Sequence, residues 1–169
     1  MLTRIIIYFL LTFFVFYCFP IKLSNADTEL GYLSPSLFLL VDKNSYLDPE
    51  RLIIDVVIKP EGQLINAANI LLSFSFNKLS LTSINKENSF CSFFLKEKVD
   101  NAKGKYNLIC GTPLPFASEK LVVARLIFKK EASGWAKIYV AENSSLHAHN
   151  GQGNNILGNR ELHNIYIMK

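Results

Sequence analysis

Apolar and polar residues alternate with a period of two through most of the chain. In "RLIIDVVI", Leu52, Ile54, Val56 and Ile58 fall on one face, and Ile53, Asp55 and Val57 on the other. "AANILLSFSF" alternates more cleanly. Ala68, Ile70, Leu72, Phe74 and Phe76 point one way, and Ala67, Asn69, Leu71, Ser73 and Ser75 the other. A repeat of two with one apolar face marks a strand whose sheet is covered on one side. "LSLTSI", "FCSFFLK", "KYNLIC", "KLVVARLIFKK", "GWAKIYV" and "LHNIYIMK" read as further strands, and "GYLSPSLFLLVD" as an early pair interrupted by Pro35. Turn-forming stretches such as "KPEGQ", "DNAKG" and "GTPLP" separate them. No segment carries a long 3.6-residue period with caps. The pattern predicts an all-β fold: about nine short strands in an antiparallel β-sandwich.

The N-terminus follows another rule. Arg4 precedes an apolar run from Ile5 to Phe19 that Pro20 ends, and Ser24 and Ala26 are the small residues a signal peptidase requires. Residues 1–26 are therefore expected to be a signal peptide and 27–169 the mature domain, extracellular or at the cell surface. The other reading is an uncleaved anchor helix, for which the run is short. Membrane contact would come only through such an uncleaved segment. Without Arg4 and Lys22 the chain has 16 basic residues against 14 acidic, and the basic ones are scattered. That balance argues against nucleic acid as a partner.

Two cysteines remain after processing, Cys91 and Cys110, and export permits a disulfide between them. A hairpin turning at Asp100 and Asn101 sets them opposite one another. A turn at "NAKG" leaves Cys91 out of step unless a bulge restores the match.

Five pieces in order resemble the cohesin family. "LIIDVVI" is similar to its second strand. "INAANILLSFSFNKLSLTSI" is similar to a strand followed by the "F-D-P-x-x-L" corner. "FFLKEKVDNAKGKYNLICGTPLPF" resembles its hairpin and the Gly/Pro loop that follows. "LVVARLIFKKEASGWAKIYV" resembles the strand pair around "F-K-A-x-x-x-G", and "HNGQGNNILG" a late "N-D-G-x-G-T-N-V-L" loop. The likeness runs from Leu33 to Met168. It implies a nine-stranded jelly-roll sandwich. It also implies a non-catalytic role: holding a dockerin-type module, often in polysaccharide breakdown. The implied partner-binding residues are Ala67, Asn69, Leu71 and Ser73, the outward positions of one strand. This sequence departs from the family pattern at Asn69, which carries no charge, at Ala67, which offers no side-chain hydrogen bond, and at Ser75 and Phe76, which replace the corner's "D-P". The alternative on the same fold is a module that binds polysaccharide directly.

"HAHNGQGNNILG" has two histidines followed by a glycine- and asparagine-rich run. Its glycines have the wrong spacing for a dinucleotide fingerprint, and no Gly-Lys-Ser/Thr follows. His147 and His149 would share a strand face, but zinc needs further ligands, and no spacing singles out Glu142, Glu161 or His163. Calcium held by backbone carbonyls and asparagines is the other metal alternative. The simplest reading is structural: Gly151 and Gly153 supply positive φ while Asn150, Asn154 and Asn155 cap free backbone groups. No metal or cofactor is assigned.

Trp135, Tyr139, Tyr106, Phe93 and Phe94 form either a platform for sugar rings or core packing. Phe90, Phe93, Phe94, Phe116 and Phe128 read most simply as core. Catalysis finds no support. No nucleophile elbow occurs, and acidic residues such as Glu61, Glu97, Asp100 and Glu131 fall in predicted turns, not across a cleft.

Overall fold

The computed structural model describes residues 34–116 and 118–169. The expected signal peptide, with its cleavage point after Ala26, lies outside these residues. Two sheets face each other. One runs β10-β1-β2-β7-β4, with β1 Ser36–Val41, β2 Arg51–Lys59, β4 Leu79–Asn85, β7 Leu121–Lys130 and β10 Asn159–Arg160. The other runs β11-β8-β3-β6-β5, with β3 Ile65–Phe74, β5 Phe93–Asp100, β6 Lys105–Phe116, β8 Gly134–Val140 and β11 Leu162–Ile167. A short strand β9, Ser145–Ala148, continues along the β8 edge of β3. Among the described residues there is one 3-10 turn, Lys43–Tyr46, and no helix long and apolar enough to cross a membrane.

The sandwich thus has 11 strands, not nine. The two unforeseen ones are short: β9 has four residues and β10 two, too few for alternation to register. The early segment contains one strand, β1, among the described residues. Pairing is antiparallel throughout except β1 with β10, which is parallel.

Alternation explains the core. Leu52, Ile54, Val56 and Ile58 of β2 are all buried, as are Ala68, Ile70, Leu72 and Phe74 of β3. Each large side chain removed from water contributes about 1.5–3 kcal/mol. Phe74 and Phe128 meet edge to face, 5.2 Å between centroids, and tie the two sheets together. Two positions break the pattern. Val57 is buried although alternation puts it outside; it lies next to a β-bulge in β7, where the β2–β7 register shifts between Val56 and Val57. Phe76 is 58% exposed because β3 ends at Phe74. There the backbone turns, Lys78 and Leu79 N–H both donating to Ser75 O.

Cys91 and Cys110 are bonded, with Cα atoms 5.7 Å apart. The hairpin turns at Asn101–Gly104, since Asp100 pairs with Lys105, and a bulge between Phe94 and Lys96 sets Phe94 opposite Cys110. Cys91 reaches the bond from before the strand. Phe90 N donates to Val122 O in one sheet and Ser92 N to Gly111 O in the other. The disulfide therefore pins the place where the chain passes from one layer to the other.

At the free edge, β5 carries Leu95 on its bulge, 74% exposed, and Glu97 on its inward side, paired with Lys86. Lys130, at the end of β7, is buried. Its ammonium donates to the carbonyls of Ser45, Tyr46 and Asp48, closing the 3-10 turn onto the sandwich. Loss of water holds its pKa below the usual lysine value, and the nearby Asp48 partly opposes this.

Candidate functional site

The outer face of the β11-β8-β3-β6-β5 sheet is built from the positions left over once the core side is filled. Along β3 these are Ala67, Asn69, Leu71 and Ser73. Their cross-strand neighbours on β6 are Gly111, Ile109, Asn107 and Lys105. Beyond them on β5 stand Phe93, Lys96, Lys98 and Asp100. On the other side Ser73 faces Tyr139, which faces Leu162, and Trp135 faces Tyr166. Five strand columns at about 4.8 Å spacing and about 3.3 Å per residue along β3 give a surface on the order of 600 Å². Two helices side by side, each about 10 Å across, match its width.

Ala67, Asn69 and Leu71 are half-buried within this face. Ser73 differs from the expectation that a partner reaches it: the residue is 5% exposed, and its hydroxyl accepts a hydrogen bond of 2.7 Å from Lys105 Nζ. Lys105 stands over it and presents its ammonium instead. Asn69 Oδ1 and Asn107 Oδ1 are buried acceptors with no hydrogen-bond partner. Near them is a depression of about 420 Å³, lined by Leu71, Ser73, Asn107, Asn143 and three lysines, Lys96, Lys98 and Lys105. The sequence reading missed these lysines and Asn107. The alternating polar positions in "KEKVDNAKGKYN" carried the signal.

Leu71 sits where the neighbouring column changes from β8 to β9. Its carbonyl accepts from Ala141 N at 2.7 Å, and Ser144 Oγ binds both its N–H and its carbonyl. The backbone groups of Leu71 are therefore satisfied across the break, and the column beside β3 continues from β8 to β9.

The aromatic residues do not make one platform. Tyr106 is buried between the sheets, and its burial raises its pKa well above the usual phenol value. Phe94 packs against the core. Phe93, read as core, is instead 44% exposed beside Gly111, which is small enough to admit its ring. Trp135 lies across the sheet on β8, roughly three strand spacings or 14 Å from β5. Trp135 meets Tyr166 edge to face at 5.3 Å, with ring planes at 77°. The side chain of Phe116 is not among those described. Phe90 and Phe128 are core.

The histidine loop is a turn. Gly151 and Gly153 have positive φ, 73° and 67°. Asn155 Oδ1 accepts from Leu146 N and Leu157 N, and Asn150 Oδ1 from Gln152 N. His147 Nδ1 donates to Gly153 O, and its Nε2 lies 3.0 Å from Ser145 Oγ, so both ring nitrogens are engaged. His149 Nδ1 lies 3.3 Å from Asn66 Nδ2. Glu161 and His163 approach to 3.1 Å, outside hydrogen-bond geometry at His163 Nε2. Among the described residues no three His, Cys, Asp or Glu side chains gather as a metal site would require.

Among the described residues the fold is an all-β sandwich, and its β11-β8-β3-β6-β5 sheet has a chemically mixed outer face. Solved structures with the same fold are cohesin modules. A cohesin module from a family 33 glycoside hydrolase of Clostridium perfringens superposes with a TM-score of 0.62 at 13% identity, covering 80% of this chain and 97% of that one. The sixth cohesin of scaffoldin B from Acetivibrio cellulolyticus, in complex with a Cel5 dockerin, gives 0.59 at 12% identity, covering 75% and 96%. A type III cohesin module from the cell-surface anchoring scaffoldin ScaE of Ruminococcus flavefaciens gives 0.60 at 11%, covering 80% and 88%. No protein-family model matches the sequence, and no curated protein matches it. The described residues form a cohesin-like domain.

Proposed function

We propose that the chain is an exported, non-catalytic docking module that holds a dockerin-type protein partner on the outer face of the β11-β8-β3-β6-β5 sheet. The single observation that carries this is the face around Ala67, Asn69 and Leu71, left uncovered by the loops of the described residues on a cohesin-like sandwich. Cohesins of this fold have been solved with dockerins bound, and a width of two helices fits such a partner. A face on the order of 600 Å² approaches the roughly 800 Å² that each partner buries in a specific interface of usual size. Export by residues 1–26, residence at or outside the cell surface and a link to polysaccharide breakdown belong to the same reading.

The test is calorimetric titration of the chain with purified dockerin modules. Saturable binding to at least one, lost on Leu71→Arg with thermal stability unchanged, supports the reading. Retention on insoluble glucan, with none of the dockerins bound, overturns it in favour of direct polysaccharide binding.

A further inference from the structure

We propose that this face selects its partner by charge: the partner presents acidic side chains over the β5–β6 side and an apolar anchor over the β8–β11 side. The proposal rests on the docking reading above and names the partner's chemistry.

Lys96 and Lys98 on β5 and Lys105 on β6 stand around the depression of about 420 Å³. Among the described residues none of the three lies within 4 Å of a carboxylate; Asp100 is the one carboxylate that shares the depression, and it lies 3.9 Å from Lys103. The opposite sheet is arranged differently. There Arg125 grips Asp55 through two hydrogen bonds, 2.7 and 2.9 Å, and Lys129 pairs with Glu131 at 3.2 Å. Lys96 and Lys98 point outward two residues apart, about 7 Å. Like charges at that distance repel, and carboxylates brought by a partner would convert the repulsion into attraction.

The other end of the face is dominated by large apolar side chains, with a single lysine, Lys137 of β8, between Trp135 and Tyr139. Trp135 is 70% exposed, Tyr166 53% and Leu162 54%. Large exposed aromatics of this kind anchor interfaces. Asn107 and Asn143, within the depression, suit a protruding side chain that needs hydrogen bonds as well as charge. A lipid surface has no such protrusion, so a protein partner fits better than an anionic membrane.

The experiment uses a two-helix dockerin-type module with glutamates at its contact positions, and the same module with those glutamates changed to lysine. Both are titrated against the full chain and its Lys96→Glu/Lys98→Glu variant. The chain is expected to bind the glutamate form about tenfold or more tightly than the lysine form, with the preference inverted in the variant and the attraction falling as salt rises. Trp135→Ala is expected to weaken both forms. Both variants change exposed positions, so their melting temperatures serve as the folding control. Equal affinity for the two forms overturns the charge reading and leaves docking standing. Binding of neither overturns docking itself. Binding of neither, together with binding to phosphatidylserine vesicles that the double variant abolishes, identifies a lipid surface as the ligand instead.

Discussion

The hydroxyl of Ser144 lies between the two backbone groups of Leu71, 3.0 Å from its N–H and 3.2 Å from its carbonyl oxygen. One side chain thereby does the work of a missing ladder partner between β8 and β9. Ser144→Ala leaves the amide of Leu71 unpaired in a half-buried strand and is expected to cost about 1–3 kcal/mol. Urea unfolding measures it. A midpoint equal to that of the parent would show the bond to be dispensable.

The disulfide joins the crossing segment to β6 and closes a loop of sequence separation 19. A constraint of that length is worth roughly 3 kcal/mol, chiefly by restricting the unfolded chain. The Cys91→Ser/Cys110→Ser double variant is expected to lose that amount against the oxidised protein. Adding reductant should lower the parent's unfolding midpoint toward the variant's and leave the variant's own midpoint in place.

Asp48 accepts hydrogen bonds from Glu50 N, Arg51 N and Arg51 Nε. These bonds, led by the Glu50 amide, hold its pKa below the usual 3.8. A carboxyl whose folded pKa is depressed adds stability that is full above its unfolded value and fades as pH falls through the folded one. Asp48→Asn should therefore be less stable than the parent near neutrality, with the gap closing in acid below about pH 3.8. Denaturant midpoints at the two pH values decide it, and a gap that persists unchanged in acid would refute the linkage.

Gly104 and Gly151 both have positive φ, 59° and 73°, but only at Gly104 would an added Cβ strike the backbone carbonyl of Phe74. Gly151→Ala meets open space and is expected to cost about 1–2 kcal/mol from the left-handed backbone alone. Gly104→Ala must cost more, because the tight hairpin has to move as well. Comparable melting temperatures for the two variants would contradict the steric argument.

Period-two alternation made β2, β3, β7 and β8 legible, since each buries one side and exposes the other. It failed where a few residues decide the geometry. Val57 is buried after a bulge, Phe76 falls in a turn, and Cys91 meets Cys110 only because the chain crosses between layers just before β5. Leu71 was readable as an outward position, but the Ser144 contact that satisfies its backbone joins residues 73 apart in sequence. The charge at the site was harder still. Lys96, Lys98 and Lys105 come from two strands, and only the β5–β6 register puts them around one depression. The burial of Ser73 beneath Lys105 depends on a side-chain contact that no spacing rule anticipates.

Among the described residues no strand pairs with the outer side of β5, so the β11-β8-β3-β6-β5 sheet ends there in a row of open backbone groups, an invitation to another copy of the chain. The protruding Leu95 interrupts its hydrogen-bonding row, and the inward-turned Glu97 would be stripped of water by any strand laid alongside. Copies crowded together should therefore not join strand to strand through β5, while the broad side of the same sheet stays available.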